Sequence, residues 1–268
     1  GRVEPPTPLP FLPPQGAPQE LLRRDADNRA VLHLAGTTGD SLFVFDLATL
    51  SLVGRCPQPF RASFTSGAGA SGFVTPSDRY ALFLDASRDR VMRVDYRDGS
   101  CAAFALPAEV GRAEGLGPIG DDALWVGSSD GVFRVELGAT PTATRVSSQA
   151  WSSAVVPDAA GGLLWGTTAG GSTFAIRADG ADQPTPSAGV DVFGFGRPAR
   201  SGRWLIDLFS VIDTRTGTGV GARFTSGTQL GQVRTRARRV GGGVVDAWFM
   251  IQGGSSDSAL VYRALVRE

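Results

Sequence analysis

Short apolar stretches, rich in β-branched and aromatic residues and bounded by Gly and Asp, recur along the chain. They lie at Val31–Gly36, Tyr80–Asp85, Asp122–Gly127, Gly162–Thr167, Arg203–Leu208 and Val245–Ile251. With Tyr80, Asp122, Gly162, Arg203 and Val245 taken as equivalent, the steps are 42, 40, 41 and 42 residues, and the step from Ala30 to Tyr80 is 50. Such stretches are too short for a helical repeat and have strand composition. A second run follows four of them, at Ser41–Leu47, Arg90–Tyr96, Gly131–Leu137 and Ser172–Arg177, with apolar and polar residues alternating. The intervening GTTGD, SSDG and TAGG segments supply the positive-φ positions that tight hairpins need. Further turns at Arg97–Gly99 and Ala178–Gly180 lead into a third, poorer strand.

Four-stranded units repeated every ~40–50 residues are the mark of a β-propeller. The pattern therefore predicts an all-β chain with a single propeller of about six four-stranded blades over residues 21–268. Seven blades are the alternative if the long first step hides a degenerate unit. Residues 1–20, Pro-rich from Pro5 to Pro18, read as an extended arm or tether. The last unit ends on SALVYRALVRE as a third strand, so a segment within Arg2–Phe11 is expected to add the missing outer strand and close the ring.

Within the recurring stretch the fourth position reads His33, Phe83, Trp125, Trp165, Ile206 and Trp248. Large aromatics at blade spacing inside apolar strands are expected where blades pack face to face, and that reading is preferred over a ligand cage. His33 shares the column, so a buried, hydrogen-bonded His is expected there.

Composition narrows the function. Arg and Lys total 26, Asp and Glu 26, and every basic residue is Arg. A charge-balanced chain lacks the basic excess of a nucleic-acid binder. Absence of Lys, with a single Asn at Asn28, matches the coding bias of a GC-rich bacterial genome. No apolar run reaches the ~18–20 residues of a membrane-spanning helix, which leaves peripheral membrane association open. Cys56 and Cys101 are too few for a zinc site or a disulfide scaffold. The strand register puts their ends on opposite faces, while an oxidising compartment would favour pairing; both states stay open.

Residues 75–101, TPSDRYALFLDASRDRVMRVDYRDGSC, resemble the YVTN repeat of bacterial surface-layer-type propellers. Thr75–Arg79 matches its turn, with Ser77-Asp78-Arg79 in place of Asp-Gly; Tyr80–Leu84 and Arg90–Asp95 match its strands, and Asp98-Gly99 its closing turn. One blade matches well and the others loosely. The resemblance implies an exported propeller, in the periplasm, at the outer membrane or on the cell surface, used for binding or display.

Catalytic sets are sparse. A Ser-His-Asp arrangement would have to use His33, the only His, and no G-x-S-x-G elbow is present. No cofactor is expected. Ca²⁺ held by carboxylates such as those of Asp85–Arg90 or Gly120–Asp122 is the alternative, although loop aspartates more often cap turns. Arg234, Arg236, Arg238 and Arg239 form the one basic cluster, a candidate docking patch for an acidic partner. Trp151 lies outside the aromatic column and is a candidate exposed binding residue. The expectation is a non-enzymatic interaction or scaffold subunit of an envelope assembly, with another protein as partner. A lactonase-like Ca²⁺-dependent hydrolase working at the central channel and a carbohydrate-binding propeller are the alternatives.

Overall fold

The computed structural model describes residues 17–24, 27–35, 40–57, 72–152, 154–157, 162–167, 172–180, 187–191, 199–201, 204–207, 210–213, 216, 218–221, 230–239, 244–253 and 259–267. For most of the first strand and most positions after residue 180, backbone alone is described. The arm segment Arg2–Phe11 lies outside the described residues.

Six antiparallel sheets follow one another, each formed from consecutive strands. The first holds β1 (Ala17–Arg23), β2 (Arg29–Ala35), β3 (Ser41–Asp46) and β4 (Leu52–Arg55). The second holds β5 (Gly72–Val74), β6 (Tyr80–Leu84), β7 (Arg90–Asp95) and β8 (Cys101–Ala105). A single 3₁₀ turn, Ala108–Val110, precedes the third, of β9 (Ala113–Pro118), β10 (Ala123–Ser128), β11 (Gly131–Glu136) and β12 (Thr142–Ser147). The fourth is β13 (Val156–Pro157), β14 (Leu163–Thr167), β15 (Ser172–Arg177) and β16 (Ser187–Asp191). The fifth is β17 (Ala199–Ser201), β18 (Trp204–Asp207), β19 (Ser210–Asp213) and β20 (Thr218–Gly221). The sixth has three strands among the described residues, β21 (Leu230–Arg239), β22 (Val244–Gly253) and β23 (Ala259–Arg267).

First strands lie beside one another, β1 by β5, β5 by β9, β9 by β13 and β17 by β21, while fourth strands such as β4, β8 and β12 are the most exposed. The sheets thus radiate from an axis lined by first strands. The recurring apolar stretch of the sequence is therefore the second strand of each sheet, not the first. Its predecessors escape detection because β5, β13 and β17 have only 3, 2 and 3 residues, too few to show a period. The boundary drawn at residue 20 falls inside β1.

Hairpin register makes Arg29, Tyr80, Ala123, Leu163 and Trp204 equivalent, since they pair with Asp46, Asp95, Glu136, Arg177 and Asp213. On that register the aromatic column divides. Phe83 stands fourth from Tyr80, whereas Trp125, Trp165 and Ile206 stand third and His33 fifth. A one-residue offset moves a side chain to the opposite face of a sheet. Phe83 accordingly packs toward the first sheet, with Leu22, Val31, Leu42 and Val44. Trp125 packs toward the fourth, with Trp151, Val155 and Leu164, and Trp165 toward the fifth, with Ile212. All four described aromatic-column residues before Ile206 are buried, His33 included; the side chains of Ile206 and Trp248 lie outside the described residues. Each interface buries side chains worth about 1.5–3 kcal/mol apiece.

Cys56 and Cys101 form a disulfide with Cα atoms 5.4 Å apart. The expectation that their strand ends lie on opposite faces is overturned. Sheets twist by about 20–25° per strand, so the outer strand stands roughly 60–75° from the inner one and runs around the rim. The end of β4 is thereby brought to the start of β8. Gly54 makes this approach possible, because a Cβ there would lie 2.0 Å from the Asp98 carbonyl oxygen.

Candidate functional site

Antiparallel connections give the molecule two distinct ends. At one, the turn end, strands join by tight Asp-anchored turns. Asp46 accepts hydrogen bonds from the amides of Ala48 and Thr49, both 2.8 Å, and Asp98 from that of Ser100, 2.8 Å. Hydrogen bonds hold both carboxyls below the ordinary range, Asp46 chiefly through the Thr49 amide and Asp98 chiefly through the Ser100 hydroxyl, with its amide next. At the other, the loop end, each sheet is joined to the next, through residues 56–71, 106–112, 148–155, 192–198 and 222–229. Longer connections on a rigid frame are where binding residues concentrate.

Charged side chains at the turn end tie sheet to sheet and brace turns within a sheet. Arg29 donates to the carbonyls of Tyr96, 2.9 Å, and Arg97, 2.8 Å. Arg93 lies over the rings of Tyr80, 4.7 Å, and Phe104, 4.8 Å, and bonds the Asp121 carbonyl and the Asp122 carboxylate of the next sheet. Asp95, whose side chain is 6% exposed, receives Arg97 at 2.7 Å and Arg79 at 3.3 Å. Burial pushes its carboxyl up, but hydrogen bonds from Arg97 and Arg79 outweigh that and leave it below the ordinary value.

Three features mark the loop end. The turn after β6 places Arg88 at φ 64°, although its side chain is almost fully buried. An arginine in this left-handed region costs of order 1–3 kcal/mol unless its surroundings hold it there. Here Arg88 ion-pairs with Glu114 on β9 and its carbonyl accepts from the Ala113 amide at 3.0 Å, so the strained turn locks the second sheet to the third. His33, fully buried, places Nε2 2.8 Å from the nearly inaccessible Asp40 carboxylate, with its ring edge-on to Phe83. Neither Arg88–Glu114 nor Asp40 carried a sequence signal, since Arg at a positive-φ turn position and Asp in a hairpin loop are recognisable only in space.

Trp151, proposed as an exposed binding residue, is instead 1% exposed. Its amide donates to the Ser128 carbonyl, 2.8 Å, and its ring lies 4.7 Å from that of Phe174. The ring fills the space that side chains at Gly127 and Gly166 would take, where added Cβ atoms would come within 2.3 and 2.1 Å of it. A loop Trp is buried because two glycines, one from each neighbouring sheet, make a slot for it.

Asp85 accepts from the Ser87 amide and hydroxyl and from Arg90, and Asp122 from Arg93. Asp85 follows β6 at the loop end and Asp122 precedes β10 at the turn end. The two described carboxylates do not converge, and among the described residues no group of three His, Cys, Asp or Glu side chains could hold a metal ion.

The arginine cluster falls on β21, the first strand of its sheet. Arg234, Arg236, Arg238 and Arg239 pair in register with Met250, Trp248, Asp246 and Val245 of β22. Their side chains lie outside the described residues. The cluster is therefore on the axial side of its sheet rather than on an outer strand.

No protein-family model matches the chain, and no curated protein matches it significantly. Among solved structures, the dihydro-heme d1 dehydrogenase NirN, in complex with DHE, aligns with a TM-score of 0.51 at 15% identity, over 94% of this chain and 56% of its own length. A functionally unknown protein from Desulfotomaculum acetoxidans DSM 771 gives 0.51 at 14% identity, over 76% of this chain and 71% of its own. BamB from Moraxella catarrhalis gives 0.48 at 13% identity, over 91% and 72%. This chain thus spans little more than half of NirN. At such identities the likeness is one of fold, and the fold is a β-propeller.

Proposed function

We infer that the chain is a non-enzymatic β-propeller subunit that binds another protein, in the periplasm or at the surface of a bacterial cell, and that its sheets close into a single ring of six. The observation that carries the binding role is the division between the two ends. Among the described residues, Arg29 and Arg93 tie sheet to sheet at the turn end, Asp95 is held by Arg79 and Arg97 of its own sheet, and the sole His faces a carboxylate inside the core. Connections between sheets gather at the other end of this stapled frame. Rigid presentation of loops limits the entropy lost on binding. Export is supported by the Cys56–Cys101 disulfide, since such bonds persist in oxidising compartments, and by the YVTN-like segment at residues 75–101. No helix among the described residues is long and apolar enough to cross a membrane.

Closure is supported by the first sheet. Ala30, Leu32, Leu34, Phe43 and Phe45 stand on its face away from the second sheet, and all are buried. An open stack would leave that face in water.

The test is affinity isolation of the tagged protein from its own cell envelope in mild detergent. Asp89→Arg with Asp130→Arg changes the loop end, and Ala48→Arg with Ala139→Arg changes the turn end. A stoichiometric partner lost only with the first pair supports the reading. A protein recovered alone in every case overturns it and turns attention to a hydrolase screen with added Ca²⁺.

A further inference from the structure

We propose that two copies of this chain pair along β8, the outer strand of the second sheet, to form an antiparallel dimer. β8 lies at the rim, so this contact leaves the loop end free for the partner inferred above. An outer strand has one row of backbone N–H and C=O groups that its own sheet does not pair. Proteins usually guard such rows with charges, Pro or bulges. The other outer strands of the first four sheets carry these guards. A bulge lies between Val44 and Phe45 opposite β4, which ends on Arg55. Another lies between Val132 and Phe133 opposite β12, where Arg145 is exposed. A third lies between Ser172 and Phe174 opposite β16, which also packs against β20. β8 differs. Its sequence, CAAFA, has no charge and no Pro, and it pairs with β7 without a register shift.

Hydrogen bonds at its two ends fix which groups face outward. The Asp95 amide donates to the Ser100 carbonyl at 2.9 Å, and the Leu106 amide to the Asp89 carbonyl at 2.6 Å. Backbone groups alternate between facing the partner strand and facing away. Ala102 and Phe104, in step with Ser100 and Leu106, therefore turn theirs to β7, while Cys101, Ala103 and Ala105 turn theirs outward. Among the described residues these outward groups bond to nothing else. Ala103 and Ala105 are exposed and Cys101 is half-buried. The Cys56–Cys101 disulfide holds the start of the strand and the Leu106 bond its end, so the row is presented in a fixed form.

This row is complementary to itself. With a two-fold axis at Ala103, antiparallel pairing sets Ala103 against the second copy's Ala103, and Cys101 against the second copy's Ala105. Those are the outward positions, so every outward N–H meets an outward C=O and none is left over. Between them Ala102 faces the second copy's Phe104, a small side chain against a large one. No like charges stand opposite one another on β8, and a net charge of zero sets up no repulsion between copies. Such a contact, the same patch on both subunits, is what a closed two-fold dimer requires. An unrelated strand shares the row only in part, whereas a copy necessarily matches it in number, spacing and direction.

Sedimentation velocity of the intact, oxidised protein over a concentration series tests the pairing. A reversible monomer–dimer equilibrium is expected, on the weak side because two short strands bury less than the roughly 1,200–2,000 Å² of a stable interface. Ala103→Pro removes the N–H at the axis from both copies, a change an edge strand tolerates, and should raise the dissociation constant roughly tenfold or more. Ala103→Glu sets two carboxylates opposite one another and should weaken the dimer in the same direction. Thr144→Glu puts the same charge on exposed β12 and should leave it unchanged. Thermal unfolding shows whether each variant folds. If neither Ala103 variant does, hydrogen exchange of the native protein decides. The amides of Cys101, Ala103 and Ala105 should then exchange more slowly as concentration rises, and those of β12 should not. A monomer at every concentration, a dimer that both folded Ala103 variants leave intact, or slowing confined to other segments overturns the proposal. Slowing of the β8 amides only when envelope extract is added gives the row to another protein's strand and overturns it as well. None of these results bears on the loop-end partner, which the affinity isolation tests separately.

Discussion

Removing the indole of Trp151 should cost a large part of the stability of the molecule, because that ring fills the joint between the third and fourth sheets. The side chain is 1% exposed. A fully buried aromatic removes 150–250 Å² from water, which at ~25 cal/mol per Å² is about 4–6 kcal/mol. Measured Trp→Ala changes in cores run about 3–5 kcal/mol. A loss of about 4 kcal/mol is the expected value, against roughly 5–15 kcal/mol of total stability. At ~2–4 °C per kcal/mol it lowers the Tm by roughly 8–16 °C. Urea unfolding followed by far-UV circular dichroism reads it as a lower midpoint at unchanged slope. The glycine slot supplies a second arm. Gly166→Ala in the native background pushes a Cβ to 2.1 Å from the ring and should cost about 1–3 kcal/mol. In the Trp151→Ala background the same alanine enters the vacated space, so the two losses should be far from additive. A Trp151→Ala cost below about 1 kcal/mol, the range of surface changes, or strict additivity with Gly166→Ala, would refute the packing described.

Three further outcomes follow from the same geometry. Replacing Cys56 and Cys101 by Ser should cost up to about 4 kcal/mol, from the entropy of a loop spanning 45 residues, and abolish the mobility difference between reduced and unreduced protein on a denaturing gel. Gly54→Ala should destabilise by about 1–3 kcal/mol and impair formation of that disulfide, measured by thiol titration, because its Cβ meets the Asp98 carbonyl. Asp95 has a folded pKa below its unfolded value, so its contribution is fully present above the unfolded pKa of ~3.9 and is lost as pH falls through the folded pKa. The unfolding free energy of Asp95→Asn should accordingly vary less with pH below about 4 than that of the native protein; parallel curves would contradict the Arg79–Asp95–Arg97 arrangement.

Much of the fold is legible along the chain because each sheet repeats one hairpin, from the second to the third strand, long enough to show its period. Asp78 illustrates the limit of motif matching. It stands at φ 59° where the YVTN turn has Gly, and Asp tolerates that conformation through its short polar side chain. The first strands β5, β13 and β17 leave no mark in the sequence, since two or three residues carry too little pattern. Relative to Phe83, the aromatic column is one residue out of register in four sheets, by one position later at His33 and one earlier at Trp125, Trp165 and Ile206, because hairpin pairing, which defines equivalence, is set by turn length rather than by apolar content. The candidate site was less legible. Trp151 reads as exposed because nothing in the sequence says that Gly127 and Gly166 will both border its ring across a sheet boundary. Asp40 and Glu114 gain meaning only from partners 7 and 26 residues away.

The central claim, that this propeller holds a protein partner at its loop end, is tested most directly by photo-crosslinking in the living cell. A photoreactive residue replaces Ser129, exposed between β10 and β11 at the loop end, or Ala139, exposed between β11 and β12 at the turn end. The account predicts one discrete, stoichiometric crosslinked protein from position 129 and none from position 139. Crosslinks from position 139 alone, or from neither position, would contradict it.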